Sequence, residues 1–237
     1  MLRQILKLCF AAALLPIALH AETPPLKIMP LGDSITVGYG VQKAGYREAL
    51  QNLLAEKNIT ADFIGRSTDL SKDMADPEHE GYSGATVRVI TAQADTALQT
   101  LKPDIILLLA GANDIRVNGP NDQPSDPNHW ATAHERYVKL LDTIWQRDPS
   151  AVVLAGTILP LTGKWGEREE GAKQYNAHLA DLVAREKAAG RKIELVDLRA
   201  GFEPADLADG IHPNASGYDK IARSWFAAIC GVLDRKK

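Results

Sequence analysis

The chain has 237 residues, of which 45% are hydrophobic and 24% are charged, and its formal net charge is −3. This composition predicts a folded globular chain and excludes extensive disorder. No basic tract of the kind that binds nucleic acid or anionic lipid is present, so we expect no nucleic-acid partner and no stable insertion into a membrane.

The amino-terminal 21 residues differ from the rest of the chain. Arg3 and Lys7 form a short basic region, an apolar run covers residues 8–19, and Ala21 precedes a polar segment. This is the pattern of a secretory signal peptide cleaved after Ala21; the run is short for a bilayer span, so an uncleaved anchor is the weaker alternative. We therefore expect an exported protein, periplasmic or extracellular, whose residues 22–237 form one domain.

Strands and helices alternate five times along these remaining residues. The predicted strands cover residues 26–32, 61–65, 104–110, 151–158 and 193–198, and the predicted helices cover 45–57, 84–101, 130–147, 169–189 and 216–233. Long loops are expected at 66–83, 116–128 and 160–168. The third strand is continuously apolar, as in parallel sheets that are covered on both faces. The pattern predicts a three-layer α/β/α sandwich with a five-stranded parallel sheet.

Polar blocks follow three of the predicted strands, where the carboxyl edge of a parallel sheet would gather them. Gly32-Asp33-Ser34 follows the first strand, Gly111-Ala112-Asn113-Asp114 follows the third, and Asp209-Gly210-Ile211-His212-Pro213 lies in the loop after the fifth. A fourth block, Gly81-Tyr82-Ser83-Gly84-Ala85-Thr86, stands at an expected helix start. These positions predict a site at one edge of the sheet.

A serine, a histidine and an acid in these blocks predict nucleophilic catalysis. Ser34 would be the nucleophile, His212 the general base and later the acid, and Asp209 the carboxylate that orients the imidazole. Asp206 is an alternative acid, although its six-residue separation from His212 requires the loop to fold back. Each residue also has a structural alternative: Asp33-Ser34 as a turn or helix N-cap, His212 as a solvated loop residue, and Asp209 as a turn acid.

Three groups could stabilise negative charge on a carbonyl oxygen. They are the backbone N–H of Ser34, the backbone N–H of Gly84 at its expected helix start, and the side-chain amide of Asn113. The alternatives are a plain helix-start glycine for Gly84 and an Asx turn with Asp114 for Asn113. Asp33 is expected to cap or brace the turn, because an inward-pointing acid would oppose an oxyanion, and Asp114 is expected to be structural.

Further residues could line the substrate site, each with a surface-loop role as its alternative: Tyr39, His79, Glu80, Tyr82 and Trp165. The six histidines are scattered, and none belongs to a metal-ligand pair with a third ligand. The sequence also lacks a phosphate-binding loop. No metal and no cofactor are therefore expected.

The four blocks, in this order and spacing, resemble the SGNH hydrolase superfamily, also called the GDSL family. The resemblance implies a flavodoxin-like α/β fold, a Ser34–His212–Asp209 triad, and an oxyanion hole formed by Ser34, Gly84 and Asn113. A finer resemblance, to the acetylxylan esterases of carbohydrate esterase family 3, rests on residues 28–34, 45–47, 62–65, 79–84 and, more loosely, 174–176. It implies an exported serine esterase that removes short acyl groups, above all acetyl, from sugars.

Two other functions stay open on the same sequence. One is a lipid acyl hydrolase of the lysophospholipase or thioesterase type, which would use the same machinery on a different substrate. The other is a non-catalytic carbohydrate- or envelope-binding protein on the same fold, against which the complete set of Ser34, Asp209 and His212 argues. The partner is expected to be a small acyl ester or an acetylated saccharide, and no oligomeric state is predicted.

Overall fold

The computed structural model describes residues 24–41, 44–71, 73–115 and 132–235, so the predicted signal peptide over residues 1–21 lies outside them. A parallel sheet forms the centre of the domain. Its strands, in chain order, are β1 Leu26–Gly32, β2 Ala61–Phe63, β3 Glu80–Gly81, β4 Ile105–Leu109, β5 Val152–Gly156 and β6 Ile193–Val196. The order across the sheet is β2-β1-β4-β5-β6, and β3 pairs with the carboxyl end of β1.

The five longer strands confirm the predicted parallel sheet. When β3 is left out, their order is 2-1-3-4-5, which is the flavodoxin-like arrangement. From β1 the chain first adds a strand on one side and then continues on the other side with β4. In such sheets ligands bind in the crevice at this switch point, beyond the carboxyl ends of the strands. The sequence pattern missed β3 because two residues are too few to show a strand period.

Helices cover both faces of the sheet and complete the predicted three layers. On one face lie α2 Tyr46–Glu56 and α6 Ala215–Asp234; on the other lie α3 Val87–Ala97, α4 Ala133–Arg147 and α5 Glu169–Ala188. A short helix, α1 Ser34–Val37, follows β1 directly. None of the helices within the described ranges is long and apolar enough to cross a membrane.

Strand β4 shows why the sheet needs both helical layers. All five of its residues are at most 2% exposed. Ile106 and Leu108 join the core beneath α3, α4 and α5, whereas Ile105, Leu107 and Leu109 join the core beneath α2 and α6. Because successive side chains of a strand point to opposite faces, a continuously apolar strand is stable only when it is covered on both sides.

Two predicted segments differ in detail from the structure. The helix expected at 84–101 begins three residues later, at Val87, because Gly84 adopts a left-handed conformation and Thr86 takes the N-cap position. The loop expected at 160–168 contains a 3-10 helix, Gly163–Arg168. The predicted loop at 116–128 and the first residues of the helix predicted from 130 lie outside the described residues.

Candidate active site

Ser34 occupies the first position of α1, immediately beyond the carboxyl end of β1. Asp33 caps this short helix, because its Oδ1 accepts a hydrogen bond of 3.0 Å from the backbone N–H of Ile35. Gly38 ends the helix in the left-handed region and donates its N–H to the carbonyl oxygen of Ser34. The N-cap role expected for Asp33 is thus confirmed, and Ser34 is held in a turn at the edge of the sheet.

The loop before α6 brings His212 to Ser34. Nε2 of His212 lies 2.9 Å from Oγ of Ser34, and Nδ1 lies 2.8 Å from Oδ2 of Asp209. The second oxygen of Asp209 accepts the backbone N–H of His212, also at 2.8 Å. When Nδ1 donates its proton to the carboxylate, Nε2 is free to accept the proton of the serine hydroxyl. The structure therefore brings the three predicted triad residues together in one hydrogen-bonded chain.

The environment of Asp209 favours its ionised form. Burial by itself would raise the pKa of this carboxyl, but the hydrogen bonds from the ring and backbone of His212, together with that from the backbone of Ile211, outweigh burial and lower the pKa. An ionised carboxylate beside Nδ1 stabilises the imidazolium that would form when Nε2 takes a proton.

Asp206, the alternative acid, has other partners. Its carboxylate accepts hydrogen bonds from Lys220 (2.6 Å), from the backbone of Glu203 (2.7 Å) and from the hydroxyl of Ser216 (2.8 Å). The contact with Lys220 is the main reason why the pKa of Asp206 falls to about 2. Asp206 therefore joins a 3-10 helix, Pro204–Asp206, to α6, and it does not contact His212.

Gly84 lies in a turn of residues 82–85, between β3 and α3. The N–H of Tyr82 donates to the carbonyl oxygen of Gly32 at 2.9 Å, and the N–H of Ala85 closes the turn on Tyr82 at 3.1 Å. Gly84 has a φ of +72°, a value that favours glycine, although a Cβ there would meet no atom within 4 Å. The prediction that Gly84 starts a helix is wrong, but within the described chain its N–H and that of Ser34 have no acceptor.

Asn113 lies in the turn after β4 and joins this group. Its Nδ2 donates to the carbonyl oxygen of Ala85 at 3.1 Å and lies 3.5 Å from Oδ2 of Asp33. The turn passes over Gly111, whose φ is +123° and where a Cβ would lie 2.4 Å from the ring of Tyr175. The turn of residues 82–85 thus bonds to the ends of both β1 and β4, which brings the segments that carry the three predicted oxyanion donors together.

Two buried aspartates stand beside these donors. Asp33 is 1% exposed, and burial raises its pKa to about 6. Asp114 accepts the backbone N–H of Val87 at 2.8 Å, at the start of α3, and pairs with Arg136 at 3.0 Å. These contacts confirm the structural role expected for Asp114, which anchors α3 and α4 to the end of β4.

His79 and Glu80 do not line a substrate site. Both are fully buried. Nδ1 of His79 accepts the backbone N–H of Gly81 and Nε2 lies against the carbonyl oxygen of Asp69, each at 3.0 Å. Burial, together with the nearby charge of Arg47, lowers the pKa of His79 to about 4. The candidate role of His79 in substrate contact is therefore wrong, because the ring is enclosed and both nitrogens have partners.

Tyr82 is half-buried and is held by an ion pair. Its hydroxyl donates to Oε2 of Glu80 and accepts from Nη2 of Arg66 at 2.8 Å. Arg66 also binds Oε1 of Glu80 at 3.0 Å and the backbone carbonyl oxygen of Gln93 at 3.0 Å. Tyr82, which immediately precedes Ser83 and Gly84, is thus fixed at both its side chain and its backbone.

A cavity of about 730 Å³ lies between the segment that follows α1 and the residues before Gly84. We call it the Tyr39 cleft, because the ring of Tyr39 lines it and lies 5.7 Å from the imidazole ring of His212, centroid to centroid. Polar residues in its wall come from three segments of the chain: Tyr39, Glu48, Ser67, Asp69, Ser71, Asp73, Tyr82 and Ser83. Two of the predicted substrate-site residues, Tyr39 and Tyr82, therefore face one cleft.

Trp165 lies on another side of the His212 loop. The 3-10 helix that contains it is tied to this loop by a 2.9 Å hydrogen bond from the N–H of Thr162 to the carbonyl oxygen of Gly210. A Cβ on Gly210 would lie 3.3 Å from the indole of Trp165, and the guanidinium of Arg168 covers the ring at 4.6 Å. Trp165 thus packs beside the His212 loop and is not part of the Tyr39 cleft.

Arg47 is a supporting residue to which sequence reasoning gave no role. It is fully buried, and its guanidinium donates to the carbonyl oxygens of Thr36, Val37 and Pro77 at 3.0–3.1 Å. It therefore satisfies the carbonyls at the end of α1, which four residues alone could not do. No local pattern in the sequence indicates this role.

Comparisons with known proteins agree with this geometry. Residues 31–220, which contain all four polar blocks, match the model of the GDSL-like lipase/acylhydrolase family. The chain is 34% identical, over 252 aligned residues, to a multidomain esterase of Ruminococcus flavefaciens. That alignment covers 93% of this chain and 31% of the relative, so the chain spans about a third of the relative's length.

Two solved structures are similar along nearly the whole domain. A family 3 carbohydrate esterase from Clostridium thermocellum has a TM-score of 0.75 and 30% identity, covering 90% of this chain and 98% of that one. A carbohydrate esterase family 3 structure from Talaromyces cellulolyticus shares the fold, with a TM-score of 0.72 and 24% identity over 89% and 99% of the two chains. The chain belongs to the GDSL-like lipase/acylhydrolase family, a family of carboxylic ester hydrolases.

Proposed function

We propose that the protein is a serine esterase that hydrolyses short-chain acyl esters of carbohydrates, above all O-acetyl esters, through an acyl-enzyme. The observation that supports this most directly is the hydrogen-bonded chain from Asp209 through His212 to Ser34, with distances of 2.8 and 2.9 Å. It stands at the carboxyl edge of the sheet, next to backbone N–H groups that have no acceptor in the described chain.

In the first half of the reaction, His212 takes the proton of Ser34 as Oγ attacks the ester carbonyl. The N–H groups of Ser34 and Gly84 and the amide of Asn113 would bind the resulting oxyanion. One hydrogen of Asn113 Nδ2 is used by Ala85, and the other makes only a long 3.5 Å contact with Asp33, which an oxyanion would replace. Each such donor is typically worth about 10²–10³ in rate.

The proton on Nε2 then passes to the leaving alcohol, which completes acylation; in the second half a water molecule gives its proton to His212 and attacks the acyl-enzyme, and the carboxylic acid leaves as Ser34 regains its proton. His212 is well placed for both transfers, because Asp209 holds its ring through Nδ1 and its backbone through the second carboxylate oxygen. The same groups serve acylation and deacylation, and no further proton carrier is needed.

The proposed substrate class rests on relatives. The multidomain esterase, at 34% identity, supports ester hydrolysis, and the Clostridium thermocellum family 3 carbohydrate esterase, at 30% identity, favours an acylated sugar. The alternative is a lipid acyl hydrolase, which would employ the same triad. We also infer export, from the signal-peptide pattern of residues 1–21; a mature protein that begins at Glu22 in the secreting cell would support this, and an uncleaved chain would contradict it.

The test is acetate release from a panel of acetylated oligosaccharides, measured beside esters of C8–C12 acids under the same conditions. We expect acetyl esters of saccharides to have the higher kcat/KM. A preference for the long-chain esters would contradict the carbohydrate substrate and favour the lipid alternative. Absence of ester hydrolysis in the folded protein would contradict the esterase itself and favour a non-catalytic binding protein.

A further inference from the structure

The Tyr39 cleft meets the candidate active site on a defined side. Tyr39, whose ring is 5.7 Å from that of His212, forms one border, and Ser83, the residue before Gly84, forms part of another. An ester bound with its carbonyl carbon at Ser34 would therefore extend one of its two substituents into the cleft.

The direction of proton transfer decides which substituent this is. As the tetrahedral intermediate collapses to the acyl-enzyme, the leaving oxygen must receive a proton from Nε2 of His212, so the alcohol part of the ester has to lie on the histidine side of Ser34. Tyr39 borders the cleft and its ring lies 5.7 Å from that of His212, so the end of the cleft at Tyr39 adjoins the histidine and can receive the alcohol part. The cleft's volume of about 730 Å³ is typical of cavities that enclose a small organic ligand, and far exceeds the needs of an acetyl group.

Tyr39 places an exposed aromatic ring in this cleft from an anchored backbone. It is 44% exposed, yet its backbone is held at both ends: the N–H donates to the carbonyl oxygen of Ser34 at 3.1 Å, and its own carbonyl oxygen accepts the hydroxyl of Tyr218 at 2.6 Å. An exposed ring held by the backbone offers an apolar face at little entropic cost. Such a face suits the C–H face of a sugar ring.

The remainder of the wall supplies hydrogen-bond acceptors. Asp69 and Asp73 are exposed at the cleft, whose wall also contains Glu48, and neither aspartate pairs with a cation in the described part of the chain. Carboxylates accept hydrogen bonds from hydroxyl groups, and they repel negatively charged groups. An aromatic face beside these carboxylates fits an uncharged polyhydroxylated alcohol better than it fits a phosphate or a uronate.

We infer that the Tyr39 cleft is the subsite for the alcohol part of the ester, an uncharged saccharide whose ring stacks on Tyr39 and whose hydroxyls bind Asp69 and Asp73. This inference rests on the proposed esterase function and adds the place, the orientation and the charge of the sugar. The acyl group, correspondingly, lies outside this cleft.

The experiment compares two esters of the same acid. One is an acetylated neutral xylo-oligosaccharide, which would fill the cleft, and the other is 4-nitrophenyl acetate, which has no sugar. We expect Tyr39→Ala to lower the ratio of their kcat/KM values about tenfold, the loss typical of a removed aromatic anchor. Tyr39→Phe, which keeps the ring, should lower the ratio much less. Val89→Ala, at an exposed position on α3 outside the cleft, is the control and should keep both values.

A second arm tests the charge of the cleft. The double variant D69N/D73N should raise kcat/KM for an acetylated uronic-acid oligosaccharide several-fold relative to the neutral one, because the repulsion is removed. An unchanged ratio in Tyr39→Ala, with both esters hydrolysed by the wild-type protein, would overturn the subsite and leave the esterase standing. A folded wild-type protein inactive on both esters would overturn the esterase and the subsite together.

Discussion

Two turns flank Ser34, and they are built in opposite ways. The base turn, residues 206–214, holds His212 through bonds among near neighbours: Asp209 accepts the N–H of His212, Ala208 donates to the carbonyl oxygen of His212 at 2.8 Å, and Asn214 donates to that of Asp206 at 2.8 Å. The oxyanion turn, residues 82–85, is held by distant residues of the chain.

The contacts of the oxyanion turn reach across the fold. The N–H of Tyr82 binds Gly32 in β1, and the carbonyl oxygen of Ala85 binds Asn113 after β4. The hydroxyl of Tyr82 binds Arg66 and Glu80. A locally built turn keeps its geometry when its surroundings change, whereas a turn with distant supports depends on each of them. The base turn, although Thr162 also binds Gly210, should therefore fail mainly through its own residues, and the oxyanion turn also through residues that never touch substrate.

The largest effect should come from breaking the base turn at its functional residues. We expect His212→Ala to lower kcat/KM for an aryl acetate by about 10⁴ or more, and Asp209→Asn by about 10²–10⁴. Asp206→Asn is the matched control, because Asp206 bonds to Lys220 instead of His212; it should lower the melting temperature and keep most of the activity. Equal losses of activity in the two aspartate variants would contradict the assignment of Asp209.

The next largest effect concerns a donor held by the oxyanion turn. Asn113→Ala should lower kcat by about 10²–10³, with little change in KM, because a lost oxyanion donor acts in the transition state. Asn176→Ala is a useful control, since that side chain binds both backbone groups of Ile158 at 2.8 and 2.9 Å and serves the fold. We expect it to reduce thermal stability without a selective loss of kcat. An Asn113→Ala enzyme with normal kcat would exclude its amide from the oxyanion hole.

Asp33, which stands between the two turns, should make stability depend on pH. Burial raises its pKa to about 6 from the usual 3.8, so the folded state binds the proton more tightly than the unfolded state. The stabilisation that this provides is complete below about pH 4 and is lost as the pH rises through about 6. Relative to Asp33→Asn, the wild-type protein should gain up to about 3 kcal/mol of unfolding free energy between pH 6 and pH 4.

Urea unfolding of the two proteins across this range measures the difference. Both proteins contain His79, whose lowered pKa of about 4 changes stability with pH in the opposite direction, and Asp76, whose burial raises its pKa to about 6. The contributions of these two residues are the same in both proteins and drop out of the difference. A difference between wild type and Asp33→Asn that stays constant with pH would show that the buried carboxyl titrates normally.

The smallest effect should come from a distant support of the oxyanion turn. Tyr82→Phe removes the hydroxyl that binds Glu80 and Arg66, and one such bond is worth about 0.5–1.5 kcal/mol. We expect kcat for an aryl acetate to fall about three- to tenfold, with KM nearly unchanged. Tyr137→Phe is the matched control, because the buried hydroxyl of Tyr137 has no partner in the described chain; it should change neither constant. If Tyr82→Phe and Tyr137→Phe changed kcat and KM equally, the hydroxyl of Tyr82 would not support the oxyanion turn.

The contrast between the turns also explains what the sequence could predict. Asp209 and His212 lie three residues apart after a strand, so their geometry depends mainly on local spacing. The sheet was predictable for a similar reason, because a continuously apolar run such as Ile105–Leu109 has few other structural explanations. The role of Ser34 was predictable because this serine stands directly after such a strand.

The residues around the oxyanion turn were less predictable, because their environments come from distant segments. His79 stands in a polar stretch, yet the loop folds inward and buries it, with Asp69 and Gly81 as partners. The φ of Gly84 and the two-residue strand β3 likewise depend on pairing with β1. Arg47 could be quoted as part of a motif, but its bonds to the end of α1 follow from helix packing that no local pattern reveals.

The most direct measurement for the proposed mechanism is labelling with a fluorophosphonate probe, followed by peptide mass spectrometry. A serine activated by His212 should form one covalent adduct per chain, located on Ser34, and ester hydrolysis should be lost in proportion to labelling. Ser34→Ala should take no label and show no hydrolysis above the small residual rate of the oxyanion donors. An adduct on another residue, or undiminished hydrolysis by Ser34→Ala, would contradict Ser34 as the nucleophile.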